Sequence, residues 1–412
     1  MSGPGLKRVI IVGGGVTGLA AAYFLRAKAR LTLLEEKSSL GGVIATGRAG
    51  GFLVEGGPDA FEASRPETAN LCRELGIGTV PARPGRRYVL DRGRPRKLSL
   101  ADGLLSWRGK LRAAMDLVLP RGPGAEDESL GAFVRRRLGR EALERVAEPV
   151  LSGLFLARAD ELSLRATGPA LLELERAHRS VILGMRRSPV LGPRRAPRDG
   201  MSGLVDRLRA SMPEVEVRTG AAVRRIEAGR VHLDGEVLEA DAVILTVPAP
   251  RAAELVEARV PDLAGALRRL RYASSATVSL GFRGRPPFDG TSLFAAGRPL
   301  AVVTFPSEKF EGRAPEGHWL VRCFLRGAPA DAARIAREEL REVLGIAGEP
   351  VLERASLWPY ARPVYEVGHE ARVREIERRT PPGLHLAGSA YRGMSLPDCI
   401  RDAHRAANRV LV

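Results

Sequence analysis

Lys7-Arg-Val-Ile-Ile-Val-Gly13-Gly-Gly15-Val16-Thr17-Gly18-Leu-Ala-Ala-Ala22 carries an apolar strand into a Gly-x-Gly-x-x-Gly turn and on into an Ala-rich, helix-forming segment. This is the dinucleotide fingerprint in its required context. Gly13 permits the tight turn, Gly15 lets a pyrophosphate approach the backbone, and Gly18 lets the helix pack closely on the strand. The helix opening at Val16 and Thr17 offers free N–H groups and the positive end of its dipole to phosphates. A second strand, Leu31–Leu34, ends at Glu35, about 20 residues past the first glycine, where a carboxylate accepts hydrogen bonds from both ribose hydroxyls. An acid there disfavours a 2′-phosphate, so FAD or NAD fits and NADP does not.

The chain has 412 residues and is 44% apolar, enough for two or three domains with a large core. The fingerprint strand starts so near Met1 that no signal or transit peptide is expected. No apolar run approaches the roughly 20 residues that span a bilayer. Cys72, Cys323 and Cys399 are widely spaced, which indicates neither a disulfide framework nor a metal site. A cytoplasmic location follows, with membrane association only at the surface, at the inner face of the cell membrane. The net charge is +17, yet only six of the 65 basic residues are Lys, an Arg bias most simply read as a codon-composition effect. There are no interleaved aromatics of the kind that stack bases, so nucleic acid is not an expected partner.

Two glycine clusters follow the fingerprint: Glu35-Glu36-Lys37-Ser-Ser39-Leu-Gly41-Gly42-Val43 and Phe52-Leu-Val-Glu-Gly56-Gly57-Pro58-Asp59-Ala-Phe61. In spacing and order they resemble the flavin amine oxidase superfamily. There the first cluster lies beside the FAD phosphates and the second beside the isoalloxazine, so the resemblance selects FAD. The superfamily usually has Arg where this chain has Ser39, and Lys37 is the expected substitute at the phosphate.

The resemblance implies an α/β fold: a Rossmann-like FAD-binding domain, an inserted mixed-sheet substrate domain and a helical domain. We expect the FAD-binding domain from residues 1–82, 200–250 and 365–412, the substrate domain from 83–100 and 251–364, and the helical domain from 101–199. In the first of these, Val215–Ile226 reads as strand, turn, strand, with the Val223 backbone implied at the adenine. Arg86–Pro95 carries a hairpin signal, and strands recur near Ala276–Phe282, Leu300–Phe305 and Trp319–Leu325. In the helical part, Leu104, Leu105, Trp107, Leu111, Met115, Leu117 and Val118 alternate with Arg108, Lys110 and Arg112, a mixed apolar and basic character that suits a membrane interface.

Further motifs narrow the family. Glu148-Pro149-Val-Leu-Ser-Gly153-Leu-Phe155, Glu161-Leu-Ser163, Leu174-Glu175-Arg-Ala-His178-Arg179-Ser180, Trp358-Pro359 with Pro363-x-Tyr365-x-x-Gly368-His369, and Gly388-Ser-Ala-Tyr391-Arg-Gly393-Met394-Ser395-Leu396-Pro397-Asp398-Cys399 resemble, in order and over nearly the whole chain, the oxygen-dependent protoporphyrinogen and coproporphyrinogen III oxidases. The resemblance implies that Trp358, Gly388, Met394, Ser395 and Leu396 adjoin the flavin. The helix beginning there, with Pro397 in its first turn, would stabilise charge on the reduced ring.

The family withdraws hydrogens from a porphyrinogen in two-electron steps, flavin N5 taking hydride and O2 reoxidising the flavin to give hydrogen peroxide. No side chain need act as a catalytic acid or base, since the cofactor carries the redox work. His178 and His369 read as structural, and Cys399 as a buried packing residue. Arginines should clamp the substrate propionates, and Arg86, Arg87 and Arg158 are the candidates, with Ala157 at the backbone expected to lie against the macrocycle. Small residues usual after Phe155 are replaced by Leu156-Ala157-Arg158, and a usual Gly by Ser395. The expected reaction is protoporphyrinogen IX to protoporphyrin IX, with coproporphyrinogen III oxidation the alternative. Another flavin amine oxidase or desaturase activity, or a non-catalytic FAD-bound scaffold, stands behind both. The resemblance also leaves room for a homodimer and for transient contact with the next haem-pathway enzyme.

Overall fold

In the computed structural model, which describes residues 6–99, 103–122, 127–187 and 192–412, the fingerprint strand Arg8–Val12 lies at the centre of a five-stranded sheet. The order is Glu216–Thr219, Arg30–Glu35, Arg8–Val12, Ala242–Leu245, Leu384–Leu386, and every pairing is parallel. Parallel strands are covered on both faces and therefore read as continuous apolar runs. Side chains alternate along a strand, so Val9 and Ile11 enter one core and Ile10 and Val12 the other. The first core is closed by helices Val16–Leu25, Ser202–Ala210 and Leu396–Leu411. The second is closed by Ala249–Val256, Pro261–Arg268 and His369–Arg379.

That second core corrects one expected boundary. Helices Ala249–Val256 and Pro261–Arg268 contribute Ala252, Ala253, Leu263 and Ala264 to the nucleotide-binding unit, so the chain returns to the substrate sheet only after Leu270. A second correction concerns Arg194–Pro197, expected in the helical domain. It is a strand paired antiparallel with both Phe61–Glu62 and Thr79–Pro81.

The second large sheet has seven strands in the order Leu352–Pro363, Tyr272–Arg283, His318–Arg326, Leu300–Thr304, Gly290–Phe294, Arg86–Asp91, Arg94–Lys97. Val278, Val303, Val321 and Cys323 point to one face, which helix Ala332–Leu344 covers. Val89, Phe294, Val302 and Phe324 point to the other, where Val150 and Leu154 of helix Glu148–Phe155 meet them.

The helical part is organised around a buried ion pair. Arg137 and Asp116 are both fully buried and bonded Nε to Oδ1 at 2.5 Å. The remaining Arg137 donors reach the carbonyls of Asp116, Pro120 and Arg179, while Asp116 Oδ2 accepts from Ser180 Oγ and Ile182 N. Glu175 accepts from Arg136 and from Gly122 N. The Glu175-Arg-Ala-His178-Arg179-Ser180 motif is thus a structural clasp, and His178 packs beside Gly184 of the following helix. On the outside of the same unit Trp107, Leu111, Met115, Leu117 and Val118 are exposed, as are Leu183 and Met185. Among the described residues no helix is long and apolar enough to cross a membrane.

Asp116→Ala would remove the closer carboxylate from the buried Arg137 guanidinium, leaving only Glu175 at 3.4 Å. The expected cost is about 3–5 kcal/mol, read as a lower urea midpoint with an unchanged slope.

Candidate active site

The fingerprint turn is built by close backbone approach. Gly13 has a φ of 108° and its N–H donates to Leu34 O at 2.8 Å. A Cβ on Gly18 would lie 1.9 Å from Gly13 O. On Gly15 it would meet nothing nearer than Gly42 Cα at 3.9 Å, so the space above this amide is open. Gly41 N donates to Gly14 O at 2.8 Å, which seats the Gly41-Gly42 turn against the fingerprint. Buried Glu35 accepts from Gly14 N at 2.6 Å and Lys37 N at 2.9 Å. Glu36 is exposed and lies 3.9 Å from Arg251, which also donates to the Val223 carbonyl. Lys37 and Ser39 are exposed, with Lys37 Nζ 5.6 Å from the Trp358 ring centroid.

A cradle free of Cβ atoms, a helix N-terminus at Val16-Thr17 and a carboxylate ending the second strand suit a dinucleotide with unphosphorylated ribose. The Gly56-Gly57-Pro58-Asp59 turn joins this cradle to the substrate sheet. A Cβ on Gly57 would fall 1.8 Å from Val43 O, and one on Gly56 2.6 Å from Ser356 Oγ. Trp358 Nε1 donates to Gly56 O at 2.8 Å. Asp59 is bonded to Lys309 Nζ at 2.7 Å and lies 3.9 Å from Arg322. Burial pushes its carboxyl upward, but the fields of Lys309, Arg322 and Arg194 prevail and hold it well below the usual range.

At the other wall, Gly388 has a φ of 126° and donates to Asp402. Ser395 replaces the expected Gly with a specific function: it is the N-cap of helix Leu396–Leu411, closing a reciprocal capping box with Asp398. Arg65 braces both side chains, reaching Ser395 Oγ at 3.1 Å and Asp398. Met394 Sδ lies 3.9 Å from Arg362 Nη1.

Tyr365 and His369 stack with ring centroids 3.8 Å apart. Tyr365 donates its hydroxyl proton to Ser389 O and accepts from Gly393 N. His369 bonds Tyr391 O through Nε2, and its Nδ1 is buried without a partner. Both rings therefore hold the Gly388–Gly393 turn in place. The three cysteines are free and buried; burial pushes the Cys72 thiol up to about 11 and Cys399 to about 12.

The four substrate candidates separate. Arg86 is committed to Asp289, which Tyr88 also bonds. Arg158 is exposed beside Glu161, and Ala157 is buried in the helical core. Arg86 is thus ion-paired at the surface, while Arg158 faces solvent. Arg87 is exposed and forms no ion pair among the described residues; desolvation of its guanidinium and then Arg194 lower its pKa. Arg65, Arg194, Lys309, Arg322 and Arg362 were not singled out by sequence. Their partners lie up to 333 residues away, a separation no local motif signals.

The model of the flavin containing amine oxidoreductase family matches residues 16–411, and the chain belongs to that family. It is 36% identical to the coproporphyrinogen III oxidase of Propionibacterium freudenreichii subsp. freudenreichii over 98% of this chain and 90% of that protein. Identity to the coproporphyrinogen III oxidase of Bacillus subtilis (strain 168) is 31%, over 99% of this chain and 98% of that one. A crystal structure assigned as a protoporphyrinogen oxidase from Exiguobacterium sp. 255-15 superposes with a TM-score of 0.88 at 29% identity, covering 98% of each chain. Within its family the chain is accordingly an FAD-containing oxidoreductase of the porphyrinogen oxidase group.

Burial lowers the His369 imidazole from 6.5 to about 4. The folded chain keeps a neutral ring while the unfolded chain takes up a proton, so this contribution is fully present above about pH 6.5 and lost as pH falls toward 4. Thermal unfolding midpoints are expected to drop across that window by the equivalent of ~3 kcal/mol at most, and His369→Gln should flatten that part of the profile.

Proposed function

We propose that this protein oxidises coproporphyrinogen III to coproporphyrin III with dioxygen as acceptor, each pair of hydrogens removed giving one hydrogen peroxide. The observation that carries the reading is near full-length similarity, at 31% and 36% identity, to two coproporphyrinogen III oxidases. It supports the alternative over the protoporphyrinogen reading given first from the sequence, and a chain acting on coproporphyrinogen III would work before the propionates are trimmed.

Bound FAD supplies the hydride acceptor. The chain's own residues hold and orient. Gly13, Gly15 and Gly18, with Gly41 and Gly42, would cradle the pyrophosphate, Glu35 the ribose, and the Val223 backbone the adenine. Gly56, Gly57, Pro58, Trp358, Met394, Ser395 and Leu396 would enclose the ring. The amides opening helix Leu396–Leu411 favour negative charge beside them, and its cap is fixed by Arg65 and Asp398.

A second reading concerns location. The exposed Trp107, Leu111, Met115, Leu117 and Val118 adjoin the helix bearing Leu183, Met185, Arg186 and Arg187, a mixture of apolar and cationic groups suited to an anionic bilayer surface. Co-sedimentation with phosphatidylglycerol vesicles should fall with rising salt and with Trp107→Ser. Equal recovery with neutral vesicles would refute it.

The function is tested by initial rates of porphyrin fluorescence in air, with FAD-loaded protein on coproporphyrinogen III and protoporphyrinogen IX side by side. Coproporphyrinogen is expected to react with a kcat/KM at least ~10-fold higher, the scale of one added charged contact. A preference for protoporphyrinogen would reverse the assignment, and inertness toward both would turn attention to amine or polyene substrates.

A further inference from the structure

Read across its strands, the substrate sheet carries one polar row. Arg354 pairs with Ser279, Ser279 with Arg322, Arg322 with Thr304, Thr304 with Ser292, and Ser292 with Arg87, one residue from each of six strands. Alternation puts this row on the face opposite the Val321–Cys323 core. Two residues further along, Phe324, Val302, Phe294 and Val89 pair in the same way and form an apolar row. The row contains three cations and no carboxylate. From Arg322 to Arg87 it crosses three strand spacings, roughly 14 Å.

The middle of the row is incomplete. Arg322 and Thr304 are buried, 2% and 8% exposed, and Arg322 Nε and Thr304 Oγ1 have no hydrogen-bond partner. Buried polar atoms are paired in the great majority of cases, and exceptions point to a bound group. The surroundings are cationic in excess. Asp59 offsets Lys309 and, more distantly, Arg322. Among the described residues Arg87 and Arg194 form no ion pair or side-chain hydrogen bond, and Arg362 Nη1 meets only the Met394 sulfur at 3.9 Å. Arg194 lies close enough to Asp59, Arg87, Lys309 and Arg362 to affect the titration of each. Arg194 and Arg362, half-buried without a counter-charge among the described residues, are retained at a cost that an anionic ligand removes.

We infer that this row is the carboxylate-recognition strip of the substrate site: Thr304 and Arg322 at its middle, Arg87 at its exposed end and Arg194 beside them take the carboxylates of a tetrapyrrole. The inference rests on the porphyrinogen reading above and adds to it the residues that count carboxylates. A ligand with four carboxylates engages separated cations along the strip, whereas one with two leaves some of them unpaired.

The test is equilibrium binding of coproporphyrin III, protoporphyrin IX and coproporphyrin III tetramethyl ester to the FAD-loaded chain, followed by fluorescence and accompanied by steady-state kinetics. Arg194→Gln and Arg87→Gln are each expected to weaken coproporphyrin III binding ~10-fold or more, the scale of a lost charged hydrogen bond, and to raise KM for coproporphyrinogen III. Affinity for the ester should not change. Thr304→Val, which keeps the shape and removes the hydroxyl, should act in the same direction by a smaller factor, and FAD content per chain reports that each variant is folded. Variants that bind coproporphyrin III as the unaltered chain does would overturn the strip, as would an ester that binds the unaltered chain as tightly as the tetra-acid. If the unaltered chain oxidises no porphyrinogen yet binds the tetra-acid through Arg87 and Arg194, the strip stands and the catalytic reading fails.

Discussion

The contact on which the rest of this structure depends is the approach of backbone to backbone at the nucleotide cradle. Gly18 has no room for a Cβ because Gly13 O occupies its place, and that closeness sets the helix directly behind the strand. Distant segments then lock onto the same turn. Thr246 donates its hydroxyl proton to the Val12 and Gly13 carbonyls, and Gly41 N bonds Gly14 O. Gly388, near the C-terminus, faces Thr17. Three separated stretches of chain are thereby gathered at one point, and the substrate sheet is hung from it through the Gly56–Trp358 bond.

Sequence reading succeeded where structure is local. The strand–turn–helix fingerprint, Glu35 at its strand end, the Arg86–Pro95 hairpin and the helix after Gly393 are each set by residues a few positions apart, and turn chemistry and periodicity report them. Failures came where long-range packing decides. Nothing local says that Ala252, Ala253 and Ala264 pack on the nucleotide sheet. Nor does any motif show that Arg194–Pro197 crosses from the helical stretch to pair with Phe61–Glu62. The arginines were the hardest case. Arg86 and Arg87 are indistinguishable in sequence, and only the fold shows that Asp289 claims the first.

The large positive charge has a simple internal logic once the partners are known. Many arginines, such as Arg136, Arg145, Arg298 and Arg401, sit in carboxylate pairs that stitch helices and strands together. Exposed pairs of this type contribute little stability individually, and Arg137 is the exception because it is sealed from water. Others are left over: among the described residues Arg87, Arg194 and Arg362 form no ion pair, and it is these that the proposed carboxylate strip draws on. A chain-wide charge count could not separate these two populations, since both contribute equally to it.

The burial of all three cysteines has a chemical consequence. A thiol reacts with peroxide as its thiolate, and the thiols of Cys72, Cys323 and Cys399 are all displaced upward by burial. At neutral pH each is almost wholly protonated and shielded, so the chain carries no ready entry point to the sulfenic and sulfinic acid ladder. Under the proposed oxidase reading, a catalyst that would release peroxide at every turnover is in this way spared inactivation by its own product through cysteine.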